Sequence, residues 1–158
     1  MSEKISRRLN HALLRIIGMD AERRKNEALP LVTCDDEGFP HAALLSPYQV
    51  VASDESTVAT SVLMGTRTHR NLSLRKRATL IISTPPSVYY IKLHLRSSSK
   101  IDILDGHDRT IFLWEIREIL MDHSPDAHIL SGIVFDDSAV RESYSLEFSA
   151  VSSFLESL

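Results

Sequence analysis

The segment Met64–Arg77 (MGTRTHRNLSLRKR), called the basic segment below, combines a glycine, two threonine hydroxyls and a concentration of cations. Its cations are Arg67, Arg70, Arg75, Lys76 and Arg77. Such a combination is typical of a solvated helix face, of a patch that contacts nucleic acid, or of a turn that holds a phosphate.

The phosphate interpretation makes the most specific chemical demand. Gly65 frees the backbone for a turn, and Thr66 or Thr68 can cap a helix that runs to Arg75. A helix start presents unpaired N–H groups and a partial positive charge, and Arg67 beside it adds a bidentate donor for phosphate oxygens. The other cations equally suit a solvent-facing helix, so the residues alone leave the three alternatives open.

Composition narrows those alternatives. The chain has 158 residues, of which 43% are hydrophobic and 25% charged, and its net charge is −3 with a pI near 6.1. A protein built around nucleic acid usually carries a domain-wide positive field, so a nucleic-acid partner is not expected here. The single cysteine, Cys34, cannot form an internal disulfide and is predicted to be a buried structural thiol.

The sequence predicts neither a membrane segment nor a metal site. No apolar run approaches the roughly 20 residues that span a bilayer, and no signal-peptide pattern opens the chain, so a cytoplasmic location is expected. The seven histidines show no ligand spacing.

The patterning predicts a helix over residues 3–17, followed by strands. The stretch LPLVTCDDEGFPHAALLSPYQVV predicts two strands that meet at a turn through Glu37 and Gly38. STVATSV predicts a third strand before the basic segment, and ATLIIST predicts another after it. VYYIKLHLRS alternates, so that Lys92, His94 and Arg96 share one side, and SKIDIL predicts a separate strand.

A second helix is predicted for DRTIFLWEIREILMDHSP, with Asp108 as its cap and Pro125 beyond its end. Two further strands, SGIVFD and ESYSLEFSAV, are predicted in the tail. The pattern favours a single α+β domain over residues 1–158, a mainly antiparallel barrel with peripheral helices.

The order of these motifs resembles the pyridoxamine 5′-phosphate oxidase-like, FMN-binding split-barrel family. In that family an acidic Gly-x-Pro turn, here Asp35–Pro40, joins two strands. A third strand then ends in a Ser/Thr-Arg-Lys turn, here Thr66-Arg67-Thr68. A short helix with an Asn-Leu pair, here Asn71-Leu72, follows, and an apolar strand comes next. The resemblance covers roughly residues 29–83.

The resemblance implies a six-stranded split barrel over about residues 29–150 and a homodimer with FMN at the subunit interface. Thr66 and Arg67, with Thr68 and Lys76, would contact the flavin phosphate. The strand from Ala42 to Tyr48 would run along the flavin ring. The implied cofactor-binding residues are Thr60, Ser61, Leu45, Ser46, Thr66, Arg67, Thr68 and Lys76.

The sequence departs from the family at three cations. The family's oxidases carry an arginine where Ala43 falls, and lysines where Tyr48 and Thr68 fall. Pyridoxamine 5′-phosphate oxidase activity itself is therefore not expected. The leading hypothesis is a flavin-dependent oxidoreductase acting on an unidentified small molecule. The alternatives are a non-catalytic flavin- or haem-binding module and a polyanion-binding domain that uses Arg67–Arg77.

Overall fold

A computed structural model describes residues 1–22, 26–103 and 105–158. Within these residues the chain forms nine strands and three helices. The strands are β1 (Ser2–Ser6), β2 (Glu27–Cys34), β3 (Pro40–Leu45), β4 (Val50–Ala52), β5 (Thr57–Leu63), β6 (Arg77–Thr84), β7 (Ser87–Ile103), β8 (His107–Asp122) and β9 (Ile133–Val134). The helices are α1 (His11–Ile17), α2 (Arg67–Arg75) and α3 (Arg141–Glu156), and Pro47–Gln49 form a short 3-10 helix.

The strands form one antiparallel system in the order β3-β2-β6-β7-β8-β5-β4, with β1 added to β8 and β9 to β2. The β2–β3 hairpin turns where predicted. Gly38 has a φ of +90°, which favours glycine, and the Asp35 carboxylate accepts the Glu37 and Phe39 amides. The predicted α+β class is therefore confirmed, although nine strands replace the six that were expected.

The main core fills the inside of the curved sheet with alternate strand residues. Leu31, Ile91 and Trp114 are fully buried there, and α1 and α2 add Leu13 and Leu72 to the same cluster. A second core lies on the outer side of the sheet, beneath α3. Its members are Val51, Ala59, Ile111, Leu113, Val151 and Leu155.

The helix predicted for DRTIFLWEIREILMDHSP is wrong, because this segment is β8. Four consecutive residues, Ile111 to Trp114, are buried, since the main core covers one face of the strand and α3 covers the other. A strand buried on both faces loses the apolar–polar alternation that would identify it. SKIDIL is not a separate strand, because Ser87–Ile103 run continuously as β7.

The strand predicted for ESYSLEFSAV is also wrong, because this segment lies in α3. The alternation of Tyr144, Leu146 and Phe148 suggested a strand, but the buried residues of α3 are Glu147, Val151 and Leu155, which follow helical spacing. The strand predicted for SGIVFD is present only as the two-residue β9.

The predicted helix over residues 3–17 begins later than expected. Asn10 caps α1 by accepting the Leu13 amide, and Ser2–Ser6 form β1 along β8 instead. Lys4 of β1 lies 3.5 Å from Glu118 of β8, which favours that pairing. In the part of the chain that the structure describes, no helix combines the length and apolar character needed to cross a bilayer.

Candidate functional site

The predicted helix start in the basic segment is present. Thr66 caps the nine-residue α2, since its hydroxyl accepts the His69 amide at 3.2 Å and donates to the Leu63 carbonyl at 2.9 Å. Gly65 has a φ of +78°, a conformation that a side chain would strain. Thr66 and Arg67 are exposed at this end, whereas Thr68 is buried.

The cations of the basic segment have different neighbours. Arg70 pairs with Asp36 at 2.6 Å, and Arg75 donates to the carbonyl oxygens of Asp35 and Asp36 at 3.0 and 3.2 Å. Both side chains therefore fasten α2 to the β2–β3 turn. Arg67, Lys76 and Arg77 are exposed, and their side chains make no hydrogen bond or ion pair with the described residues.

The other predicted cofactor residues are buried. Leu45 belongs to the main core, and the Ser46 hydroxyl accepts the Tyr48 amide at the start of the 3-10 helix. Thr60 accepts the indole N–H of Trp114 at 2.8 Å inside the barrel. Ser61, on the opposite face of β5, is fully buried. Only Thr66, Arg67 and Lys76 of the predicted set are therefore open to a ligand in this conformation.

A buried ionic cluster, which the sequence did not indicate, lies beside Ser61. Arg109 of β8 has its Nε 3.0 Å from Glu147 Oε1 of α3 and its Nη2 2.7 Å from Asp105 Oδ2. The hydrogen bond from Arg109 lowers the pKa of Asp105 strongly. Burial raises the pKa of Glu147, although the Ser61 hydroxyl and Arg109 oppose that shift.

A groove of about 520 Å³ lies on the outer face of β2, β6, β7 and β8. Its uncharged lining comprises Val32, Thr33, Cys34, Pro40, Ala78, Thr79 and Leu93. Its remaining lining residues are Arg77, Lys92, His94 and Arg117. Cys34 is exposed here, so its prediction as a buried thiol is wrong. The groove offers an apolar surface edged by cations.

The groove cations differ in how far they are neutralised. Lys92 lies 2.7 Å from Glu118, and this hydrogen bond, with help from Lys4, lowers the pKa of Glu118. Arg117 lies 3.5 Å from Glu115. Arg77 and His94 face each other in register across β6 and β7, and within the described residues neither side chain has a polar partner. Arg77 is therefore the groove cation most available to an anion.

The groove and the predicted phosphate turn are distinct places. Thr66 and Arg67 begin α2, whereas Arg77 follows its end, so the nine-residue helix separates them by about 13 Å. Neither Thr66 nor Arg67 lines the groove. Lys76 does not line it either, but it is the neighbour in sequence of Arg77, which does. The groove combines an open apolar surface with cations, whereas Leu45, Ser46, Thr60 and Ser61 are buried in this conformation.

The sequence carried part of the signal for the groove. The alternation of β7 placed Lys92 and His94 on one side, as the structure has them. Arg77 and Arg117 were missed as neighbours because the registers of β6 and β8 bring them together. Among the described residues, no three histidine, cysteine or carboxylate side chains cluster as metal ligands would.

No protein-family model matches the chain. The uncharacterized protein YclD of Bacillus subtilis (strain 168) is 23% identical over 116 residues, which cover 73% of this chain and 75% of YclD.

Several solved structures are similar to this chain. A candidate pyridoxamine 5′-phosphate oxidase of Lactobacillus delbrueckii has a TM-score of 0.55 at 14% identity, covering 73% of this chain and 97% of its own. HupZ of Group A Streptococcus has a TM-score of 0.52 at 11% identity, with 65% and 90% covered. An F420 reductase has a TM-score of 0.51 at 9% identity, with 60% and 90% covered. The chain therefore has the fold of the pyridoxamine 5′-phosphate oxidase-like split barrels, as the basic segment and the β2–β3 hairpin predicted.

Proposed function

We propose that this chain binds a flavin mononucleotide in the groove on the outer face of β2, β6, β7 and β8. The observation that carries the proposal is the groove itself, whose volume of about 520 Å³ lies within the range of small-molecule sites, roughly 300–1,000 Å³. Its apolar lining suits a flat aromatic ring. The exposed guanidinium of Arg77 suits the phosphate, with Lys76 beside it.

The redox role follows from the cofactor. A bound flavin supplies electron and hydride transfer, and the chain's residues bind and orient it. His94 and Lys92 stand on the lining of β7, where a donor would stabilise negative charge on a reduced ring.

We also propose that the chain works as a homodimer with the groove at its interface. Leu44 and Phe39 are exposed by 55% and 64% at the β3 side of the same sheet. Pro40, Ala42 and Leu44 are exposed along one face of β3, and an exposed apolar strip of this kind favours contact with a partner surface. A second copy would narrow the open groove around the ring.

Haem is the second candidate ligand, and one observation favours it. His94 lies in the groove with no polar partner among the described residues, so its imidazole is available as an axial ligand. A polyanion is less well supported, because Arg70 and Arg75 are already engaged with the β2–β3 turn.

Titration of the ligand-free protein with FMN, followed by flavin fluorescence, tests the proposal. Arg77→Ala should weaken binding about 10- to 100-fold, the equivalent of about 1.5–3 kcal/mol for a hydrogen bond to a charged group. Arg96→Ala is the matched control, because Arg96 is an exposed β7 cation that does not line the groove.

Three results would speak against the proposal. FMN that fails to bind would remove the flavin assignment. A loss of affinity in Arg67→Ala but not in Arg77→Ala would move the phosphate to the start of α2. A Soret band on addition of haem, lost in His94→Ala, would favour the haem alternative.

A further inference from the structure

Helix α3 lies against the outer face of the sheet at β4, β5 and the 3-10 helix. Val151 and Leu155 of α3 pack there against Val51, Ala59 and Leu113. The helix therefore excludes solvent from the side of β5 that faces away from the main core.

This position covers residues that the family resemblance assigns to the flavin. Ser61 is fully buried and lies beside Glu147 of α3. The Gln49 side-chain amide donates to the Glu147 carboxylate at 3.2 Å. Tyr48, at the end of the strand expected along the ring, stacks on Tyr144 with ring centroids 6.1 Å apart.

Charged groups at one end of this contact are engaged with one another. Arg109 bridges Glu147 of α3 and Asp105, and Ser143 of α3 donates to Asp105 at 2.7 Å. Arg109 is 5% exposed and Glu147 is fully buried. Removing one member of a buried ion pair leaves the other charge uncompensated, so this cluster is sensitive to single changes.

We propose that α3 is an autoinhibitory cover. It occupies, from within the chain, the face of β5 at Ser61, which the resemblance places near the flavin, and it covers Tyr48 at the end of the strand that the resemblance places along the ring. The Asp105–Arg109–Glu147 cluster latches it there. The cover can be tested without any flavin, and only the identity of the excluded ligand rests on the proposed function. With α3 latched, the outer groove is the place left for a flavin.

Thiol labelling measures the cover directly. In a Cys34→Ala background, the only thiol is the one introduced by Ser61→Cys, which should react slowly with a thiol reagent because α3 covers it. Adding Glu147→Gln removes the charge from the latch and should accelerate labelling at least tenfold. Glu142→Gln, on the exposed first turn of α3, is the matched control and should leave the rate unchanged.

A second position separates lifting of α3 from global unfolding. Val62 follows Ser61 but belongs to the main core, away from α3. The thiol introduced by Val62→Cys should stay slow to label in the Glu147→Gln variant if only α3 lifts. Ser143→Ala, which removes one hydrogen bond to Asp105, should give a smaller acceleration at the Ser61→Cys position.

The labelling rates distinguish a latched cover from an open face, from a helix without a latch and from global unfolding. Rapid labelling at Ser61→Cys with the latch intact would overturn the cover, and an unchanged rate in Glu147→Gln would overturn the latch. Equal acceleration of labelling at the Val62→Cys position would show that the whole protein unfolds and not that α3 lifts locally. That result would overturn both the cover and the latch.

FMN titration of the Glu147→Gln variant tests the exclusion. Tighter binding than in the unaltered chain would support an autoinhibitory role, and equal affinity would overturn it. If FMN binds neither protein, the proposed function fails and α3 excludes no flavin, while the labelling rates still decide whether it is a latched cover.

Discussion

Thr60 and Ser61 are neighbours on β5, yet they serve opposite faces of the sheet. Thr60 points into the barrel and accepts the indole N–H of Trp114, whereas Ser61 points outward beneath α3. Because successive strand residues face opposite sides, one pair can join two separate cores. The Thr60 hydroxyl is explained by its hydrogen bond with Trp114.

Replacing Thr60 tests its structural role. Thr60→Val keeps the shape of the side chain but leaves the buried Trp114 N–H without an acceptor, which should lower the free energy of unfolding by about 1–3 kcal/mol. Thr60→Ser retains the hydroxyl and should lose less. Urea unfolding followed by tryptophan fluorescence measures both, and equal losses would show that the hydrogen bond contributes little.

His69 gives the chain a pH dependence of known sign. Its Nε2 lies 3.1 Å from the Thr110 hydroxyl, its ring packs on Phe112, and burial followed by the charge of Lys100 lowers its pKa from 6.5. The unfolded chain then binds the proton more readily than the folded chain. Stability should therefore fall as the pH drops below 6.5.

A difference measurement isolates this residue from the other histidines. The free energy of unfolding should decrease between about pH 7.5 and about pH 5.5, and it should decrease less in His69→Gln. An identical decrease in both proteins would show that His69 is not responsible.

Helix α2 is fastened to the sheet by a buried polar chain as well as by its surface cations. The Asn71 amide donates to the Thr33 hydroxyl at 2.9 Å, and Thr33 donates to the His41 carbonyl at 3.3 Å. These two hydrogen bonds join α2 to both strands of the β2–β3 hairpin. They thereby position the two ends of α2, with Arg67 at one and Arg77 just beyond the other.

Breaking the hydrogen bond between Asn71 and Thr33 should lower the stability of the protein. Asn71→Ala leaves the buried Thr33 hydroxyl short of a partner, and we expect a loss of about 1–3 kcal/mol in the free energy of unfolding. Ser73→Ala, on the exposed side of α2, should change it by less than about 0.5 kcal/mol. Thermal or urea unfolding compares the two, and similar losses would contradict a special role for Asn71.

The β2–β3 hairpin and α2 could be predicted because each carries a local turn or capping signal. The β2–β3 hairpin carried turn chemistry at Asp35 and Gly38, and α2 carried a threonine cap, so both were predicted. The β8 segment is covered on both faces, and α3 buries a glutamate among serines, so neither shows its ordinary period. The burial of β8 on its outer face and the burial of α3 depend on each other, because α3 packs on β8.

At the scale of the whole molecule, the outer sheet face is the region that local sequence described least. The groove joins β2, β6, β7 and β8, and Arg77 comes to stand opposite His94 only through strand register. Local patterns locate the helix cap at Thr66, but they do not show which cations lie in a cavity.

A charge introduced on the exposed face of β3 tests the proposed homodimer. Leu44→Asp, on exposed β3, should weaken dimerisation at least tenfold because it buries a carboxylate in an apolar contact. Leu74→Asp changes a similarly exposed leucine on α2 and is the control. Sedimentation velocity over a concentration series measures the dimer, and a monomeric unaltered chain would contradict the proposal.

A crystal structure of the unaltered chain grown with FMN tests the central claim most directly. We predict flavin density in the groove over β2, β6 and β7, with the phosphate within salt-bridge distance, about 4 Å, of Arg77 and with α3 in place. Density at Thr66 and Arg67, density on β5 with α3 displaced, or an empty groove at saturating FMN would each contradict the account.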